Sequence, residues 1–124
     1  MDSYIIKAVY LASQSPYRHK IGAVITDKKG KVISTGVNIR KTHPKQFLYA
    51  QKTGNEKKIY LHAEVSALVK CRKIPYSIFV VRVNSKGELR LAKPCESCML
   101  ALEQVNIKNI YYSDNNGNIQ HIAL

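Results

Sequence analysis

Two short segments, far apart in the chain, carry the donors of what reads as a single metal site, and any fold must bring them together. His62-Ala63-Glu64 is separated by 29 residues from Pro94-Cys95-Glu96-Ser97-Cys98. One imidazole and two thiolates suit Zn²⁺, which normally takes four ligands. A set that stops at three protein donors leaves one position for water, the arrangement of a catalytic rather than a structural zinc. Glu64 is not needed as a ligand and is free to move protons. A structural site would need a fourth donor, and His19, His43 or His121 could offer one. None of them stands in a helical or knuckle-like pair with another ligand, so the open form is expected and the three histidines default to solvated or hydrogen-bonded side chains. Only His43, in Lys41-Thr42-His43-Pro44, is placed where it could approach a substrate.

The 124 residues fit one domain spanning 1–124, long enough to bury a core without disulfide staples. No repeat or low-complexity linker divides the chain. Although 45% of residues are apolar, no stretch approaches the ~20 consecutive apolar residues of a membrane span. The opening residues lack a signal-peptide pattern. Three cysteines cannot all pair, and two sit at metal-ligand spacing, so a reducing, cytoplasmic setting is expected. Cys71 reads as a small buried hydrophobe.

Charge is large and uneven. The formal net charge is +12, and from Arg18 to Lys58 there are 11 Lys/Arg against Asp27 and Glu56, a net of +9. Such a field favours polyanionic partners, unless it is simply a solvated lysine surface.

Ser3 is positioned to cap a helix running to about Gln14, with Ile6, Val9, Tyr10 and Ser13 on one face, and Pro16 ends it. Residues 21–25 and 32–37 flank Asp27-Lys28-Lys29-Gly30 and read as a β-hairpin. Residues 39–58 carry many charges and little periodicity, which reads as a long loop placed to cover the site. A helix is expected from Tyr60 to about Arg72, with His62 and Glu64 in its first turn, where the helix dipole favours negative charge. Residues 77–83 form a strand, Asn84-Ser85-Lys86-Gly87 a turn, and 88–91 a short return strand or loop. The second metal helix runs from Cys95 to about Val105 with both cysteines in its first turn. Residues 109–113 and 119–122 form a hairpin around Asp114-Asn115-Asn116-Gly117. The order α-ββ-α-β-α-ββ implies an α/β sandwich with a mixed sheet, the two metal helices pointing their N-termini at one ion.

With these residues in place, the chain resembles the zinc-dependent cytidine/deoxycytidylate deaminase superfamily. The resemblance rests on His62-Ala63-Glu64-Val65-Ser66-Ala67-Leu68 and Pro94-Cys95-Glu96-Ser97-Cys98, with Gly22-Ala23-Val24-Ile25 and Thr35-Gly36-Val37-Asn38 as further blocks. It implies a three-layer, cytidine-deaminase-like sandwich: a mixed sheet of about five strands flanked by helices, ending in an antiparallel hairpin. It also implies Zn²⁺ on His62, Cys95 and Cys98, Glu64 as the catalytic proton shuttle, Asn38 on the substrate sugar and the Ala63 N–H on the base carbonyl. Two departures stand out. Leu91-Ala92-Lys93 occupies the place where many relatives acting on deoxycytidylate or transfer RNA have a Thr or Ser. Only seven residues follow Asn116-Gly117, an ending similar to the free-cytidine deaminases, which usually have Cys where this chain has His62.

The resemblance implies hydrolytic conversion of cytosine to uracil, and the cations of the covering segment favour a phosphate-bearing substrate. The cations Arg40, Lys41, Lys45, Lys52, Lys57 and Lys58, with Tyr17, Phe47, Tyr49 and Tyr60 for stacking, favour a single-stranded nucleic acid over free cytidine or (deoxy)cytidylate. An RNA adenosine deaminase is a further alternative, and a zinc-stabilised nucleic-acid-binding module is the non-enzymatic one. No membrane partner is expected, and a homo-oligomer is left open.

Overall fold

The computed structural model describes residues 2–42, 44–52 and 60–124. In chain order the elements are α1 Asp2–Ser13, β1 Lys20–Thr26, β2 Val32–Val37, β3 Ile39–Thr42, α2 Pro44–Lys52, β4 Tyr60–Leu61, α3 Ala63–Lys70, β5 Ser77–Val83, β6 Leu89–Arg90, α4 Glu96–Gln104, β7 Asn109–Ser113 and β8 Ile119–Ala123.

β1 and β2 form the expected hairpin. Its turn is fixed by Asp27 Oδ1, which accepts the Lys29 and Lys31 N–H groups at 2.9 Å each, and by Gly30 at φ +86°, a region that favours glycine. The sheet runs β2-β1-β5-β7-β8, with β6 beside β5. β5 is antiparallel to β1 in unbroken register from Lys20↔Val83 to Thr26↔Ser77 and parallel to β7. β7 and β8 close the sheet as the antiparallel C-terminal hairpin. The sheet is therefore mixed, as expected, with β6 as its sixth strand.

Strand alternation sorts side chains onto two faces. Val24, Phe79, Val81 and Val83 meet Ala8 and Ala12 of α1. Ala23, Ile25, Ile78, Val80 and Ile110 meet Ala67 of α3 and Leu102 of α4. Three layers result, with both metal-site helices on the same face.

Four local expectations need correction. First, residues 39–58 are not a featureless loop: β3 and α2 occupy all of the described part, and β3 pairs antiparallel with β4. Second, Tyr60–Leu61 is that short strand and α3 starts only at Ala63, which makes His62 the N-cap rather than a first-turn residue. Third, Cys95 is likewise the N-cap of α4. Fourth, α1 begins at Asp2, so Ser3 lies inside it, and its buried face is Ala8 and Ala12 while Ile6 and Tyr10 are exposed. Gly22 explains the last point. A Cβ there would stand 2.6 Å from the Ala12 nitrogen, so helix and strand touch backbone to backbone and only alanines fit between them.

Candidate active site

α3 rests on β2 through the same device. A Cβ on Gly36 would come within 2.6 Å of the Ala67 nitrogen and closer still to the Ala63 carbonyl oxygen. The height of the first metal helix above the sheet is thus set by a missing side chain. α4 is held by Leu102 in the core below and by Cys98 and Ala101 against Val65 of α3.

Each helix is begun by a donor residue. His62 (φ −75°, ψ 156°) and Cys95 (φ −68°, ψ 171°) are extended N-caps whose side chains cap nothing in their helices. Their carbonyls accept the first helical bonds, from Ser66 N–H and Met99 N–H, both at 2.8 Å. The extended backbone aims the imidazole and the thiol away from the helix axes and towards each other. His62 Nδ1 lies 3.3 Å from Cys98 Sγ and 3.6 Å from Cys95 Sγ, and the three donor atoms all fall within 4.8 Å of one another.

Those separations suit zinc. With Zn–N near 2.0–2.1 Å and Zn–S near 2.3 Å, a tetrahedral ion places N and S about 3.5 Å apart. Cys98 donates to Cys95 Sγ, and this bond, with help from His62, brings the Cys95 thiol down to about 3. The same bond, reinforced by burial, holds Cys98 well above its ordinary value. One shared proton thus separates the pair from the dithiolate that zinc binding requires.

Glu64 is buried beside these donors, 5% exposed. Burial pushes its carboxyl above the ordinary value, against the pull of the His62 imidazole and of its own backbone N–H. A buried carboxyl that holds its proton more tightly is suited to give and take one near neutral pH.

A residue missed in the sequence supports His62 from above. Gln46 of α2 is fully buried, and its Oε1 accepts the His62 backbone N–H at 3.2 Å. Only the hidden helical character of this segment could have pointed to it.

A cavity of about 240 Å³ opens beside the donors. His62, Glu64 and Cys95 form one wall, and His19, Arg82 and Lys93 contribute basic groups to the others. Among the described residues, neither Arg82 nor Lys93 is ion-paired. His19 and Lys93 come from two separate connections and Arg82 from β5, so no local motif announces them. Asn38 acts on this wall from behind: its Oδ1 accepts the Ile21 N–H at 3.0 Å and its Nδ2 donates to the His19 carbonyl at 2.6 Å. One amide N–H of Asn38 remains beyond these bonds. Ala63, the first helical residue, has an N–H with no carbonyl inside the helix to bond. His121 stands elsewhere, stacked on Tyr111 with ring centroids 4.4 Å apart. His43, Lys57 and Lys58 lie outside the described residues, as do the side chains of Arg40, Lys41, Phe47, Tyr49 and Tyr60.

The family described as the cytidine and deoxycytidylate deaminase zinc-binding region matches residues 1–114. Two similar solved structures are of the dCMP deaminase from the cyanophage S-TIM5. The apo form shares 23% identity at a TM-score of 0.60, covering 92% of this chain and 82% of that one. The complex with dCMP and dUMP shares 23% identity at 0.58, covering 92% and 80%. No curated protein matches the chain.

Proposed function

This chain belongs to the cytidine and deoxycytidylate deaminase family, and is a zinc-dependent hydrolase; we propose that its substrate is a cytosine mononucleotide, cytidylate or deoxycytidylate. The observation that carries this reading is the cavity, which is lined by Glu64 and two of the metal donors, His62 and Cys95, and by Arg82 and Lys93, neither of them ion-paired among the described residues. At about 240 Å³ it is smaller than the ~300–1,000 Å³ of drug-sized ligand sites. That is room for one nucleoside, with a phosphate at the basic rim. The single strand favoured from the cations and aromatics of the sequence gives way to the mononucleotide, because one similar solved structure is a complex with dCMP and dUMP.

Hydrolytic deamination replaces the exocyclic amine of cytosine by oxygen and releases ammonia, consuming one water. His62, Cys95 and Cys98 would hold the zinc, which would supply the Lewis acidity that makes water a nucleophile near neutral pH. Glu64 takes a proton from the attacking water and passes it to the ring nitrogen. It then carries the second proton from the new hydroxyl on the ring carbon to the amine, which leaves as ammonia when the C–N bond breaks, and Glu64 ends in the protonation state in which it began. The Ala63 N–H meets the base carbonyl, and the spare N–H of Asn38 meets the sugar. Arg82 and Lys93 receive the phosphate.

The test is to offer the purified protein CMP, dCMP, cytidine, deoxycytidine and cytosine-containing oligonucleotides in parallel. Turnover of a mononucleotide with little of the nucleoside and none of the oligonucleotide is expected. Oligonucleotide turnover that exceeds mononucleotide turnover would restore the single-strand reading.

A further inference from the structure

The strongest charge concentration among the described residues lies at the other end of the sheet from the cavity. Two grooves meet at Lys73. One, of about 610 Å³, is lined by Lys28, Lys29, Lys73 and Ile74. The other, of about 240 Å³, is lined by Lys31, Lys70, Arg72 and Lys73. The six cations are all exposed, and none is ion-paired among the described residues. Among the described residues, the only carboxylate lining either groove, Asp27, is engaged by the Lys29 and Lys31 backbone N–H groups. Ile74 stands 85% exposed among these cations. The Tyr76 N–H to Thr26 carbonyl bond, at 2.9 Å, ties the segment after α3 to the end of β1 and holds the two halves of the patch together.

We propose that this face is a nucleic-acid docking surface, separate from the catalytic cavity, that takes a single strand along the two grooves. Six unneutralised cations on one face repel one another, and a row of phosphates relieves that repulsion while releasing counterions. The two grooves share Lys73, so cations on both sides of it can meet successive phosphates of one chain, and Ile74 offers an apolar contact to an unstacked base. The patch sits at the Thr26 end of β1 and the cavity at the Lys20 end, the two ends of a seven-residue strand, about 20 Å apart at strand rise. A strand on this face therefore leaves the cavity open to mononucleotide.

A fluorescent oligothymidylate tests the surface without involving deamination, because it contains no cytosine; its failure and that of the substrate reading are thus distinguishable. Binding should weaken with salt at a log–log slope of about −4 if all six cations engage a single strand. The Lys28→Glu/Lys73→Glu variant should bind at least tenfold more weakly, with a slope of about −3 or shallower, while zinc content and mononucleotide turnover stay at wild-type levels. The proposal is overturned by absence of binding at low salt, by equal affinity of the variant, by competition from dCMP, or by binding to phosphatidylserine vesicles but not to the oligonucleotide.

Discussion

Gly36 of β2 lies directly beneath Ala67 of α3, so close that a Cβ on the glycine would stand 2.6 Å from the Ala67 nitrogen. The clash involves backbone and not a flexible side-chain tip, so Gly36→Ala must lift α3 and move His62 and Glu64 with it. A loss of about 1–3 kcal/mol is expected from overpacking of this kind, together with reduced zinc retention. Gly22→Ala makes the equivalent clash with Ala12 of α1. It should cost similar stability with zinc retained, because α1 covers the opposite face. Urea unfolding and elemental analysis of both variants separate the two effects.

Gln46 should matter through His62. Gln46→Leu keeps an apolar body of similar size in the buried position but removes the acceptor for the His62 N–H. Changes to groups that orient metal ligands typically cost 10–100-fold in metal affinity, and about tenfold is expected here. Competition with a zinc chelator measures it, and unchanged affinity would remove Gln46 from the support of the site.

Arg82 and Lys93 should separate nucleotide from nucleoside. Losing a hydrogen bond to a charged group is worth ~1.5–3 kcal/mol, so Arg82→Ala or Lys93→Ala should raise KM for the mononucleotide about tenfold or more. Turnover of the corresponding nucleoside should change little. Equal loss on both substrates would place these residues in structure and not in phosphate recognition.

How much of this could be read beforehand depended on what each element buries. The metal donors, the mixed sheet and the C-terminal hairpin were legible because ligand spacing, β-branched runs and Asn116-Gly117 are local signals. α2 was not, because a fully buried residue of its described part is Gln46, a polar side chain invisible to a search for apolar periodicity. The inward face of α1 was misassigned for the opposite reason. Close approach at Gly22 admits only Ala8 and Ala12, and the larger Ile6 and Tyr10 are turned outward. His62 was placed one turn too deep because pairing of β4 with β3, a contact distant in sequence, decides where α3 can start.

The turn in the final hairpin should show a defined pH dependence. Asp114 is held below its ordinary value of 3.8, chiefly by the Gln120 side-chain amide and then by the Asn118 N–H, against a small opposing effect of burial. A carboxyl with a depressed folded value adds stability that is fully present above its unfolded value and is lost as pH falls through the folded one. Asp114→Asn keeps an acceptor oxygen but cannot ionise. The variant should be less stable than wild type at neutral pH, and the difference should shrink as pH falls below 3.8. A constant difference across that range would remove Asp114 as its source.

The most direct test of the account is mass spectrometry of a mixed pool of nucleosides, mononucleotides and oligonucleotides exposed to wild type and to Glu64→Gln. Replacing NH₂ by OH adds about 1 Da to the reacting base. With wild type, dCMP or CMP should gain this mass, and Glu64→Gln, retaining its zinc, should be slower by roughly 10²–10⁴-fold. Inosine formed without uracil, or a Glu64→Gln protein as active as wild type, would contradict the account.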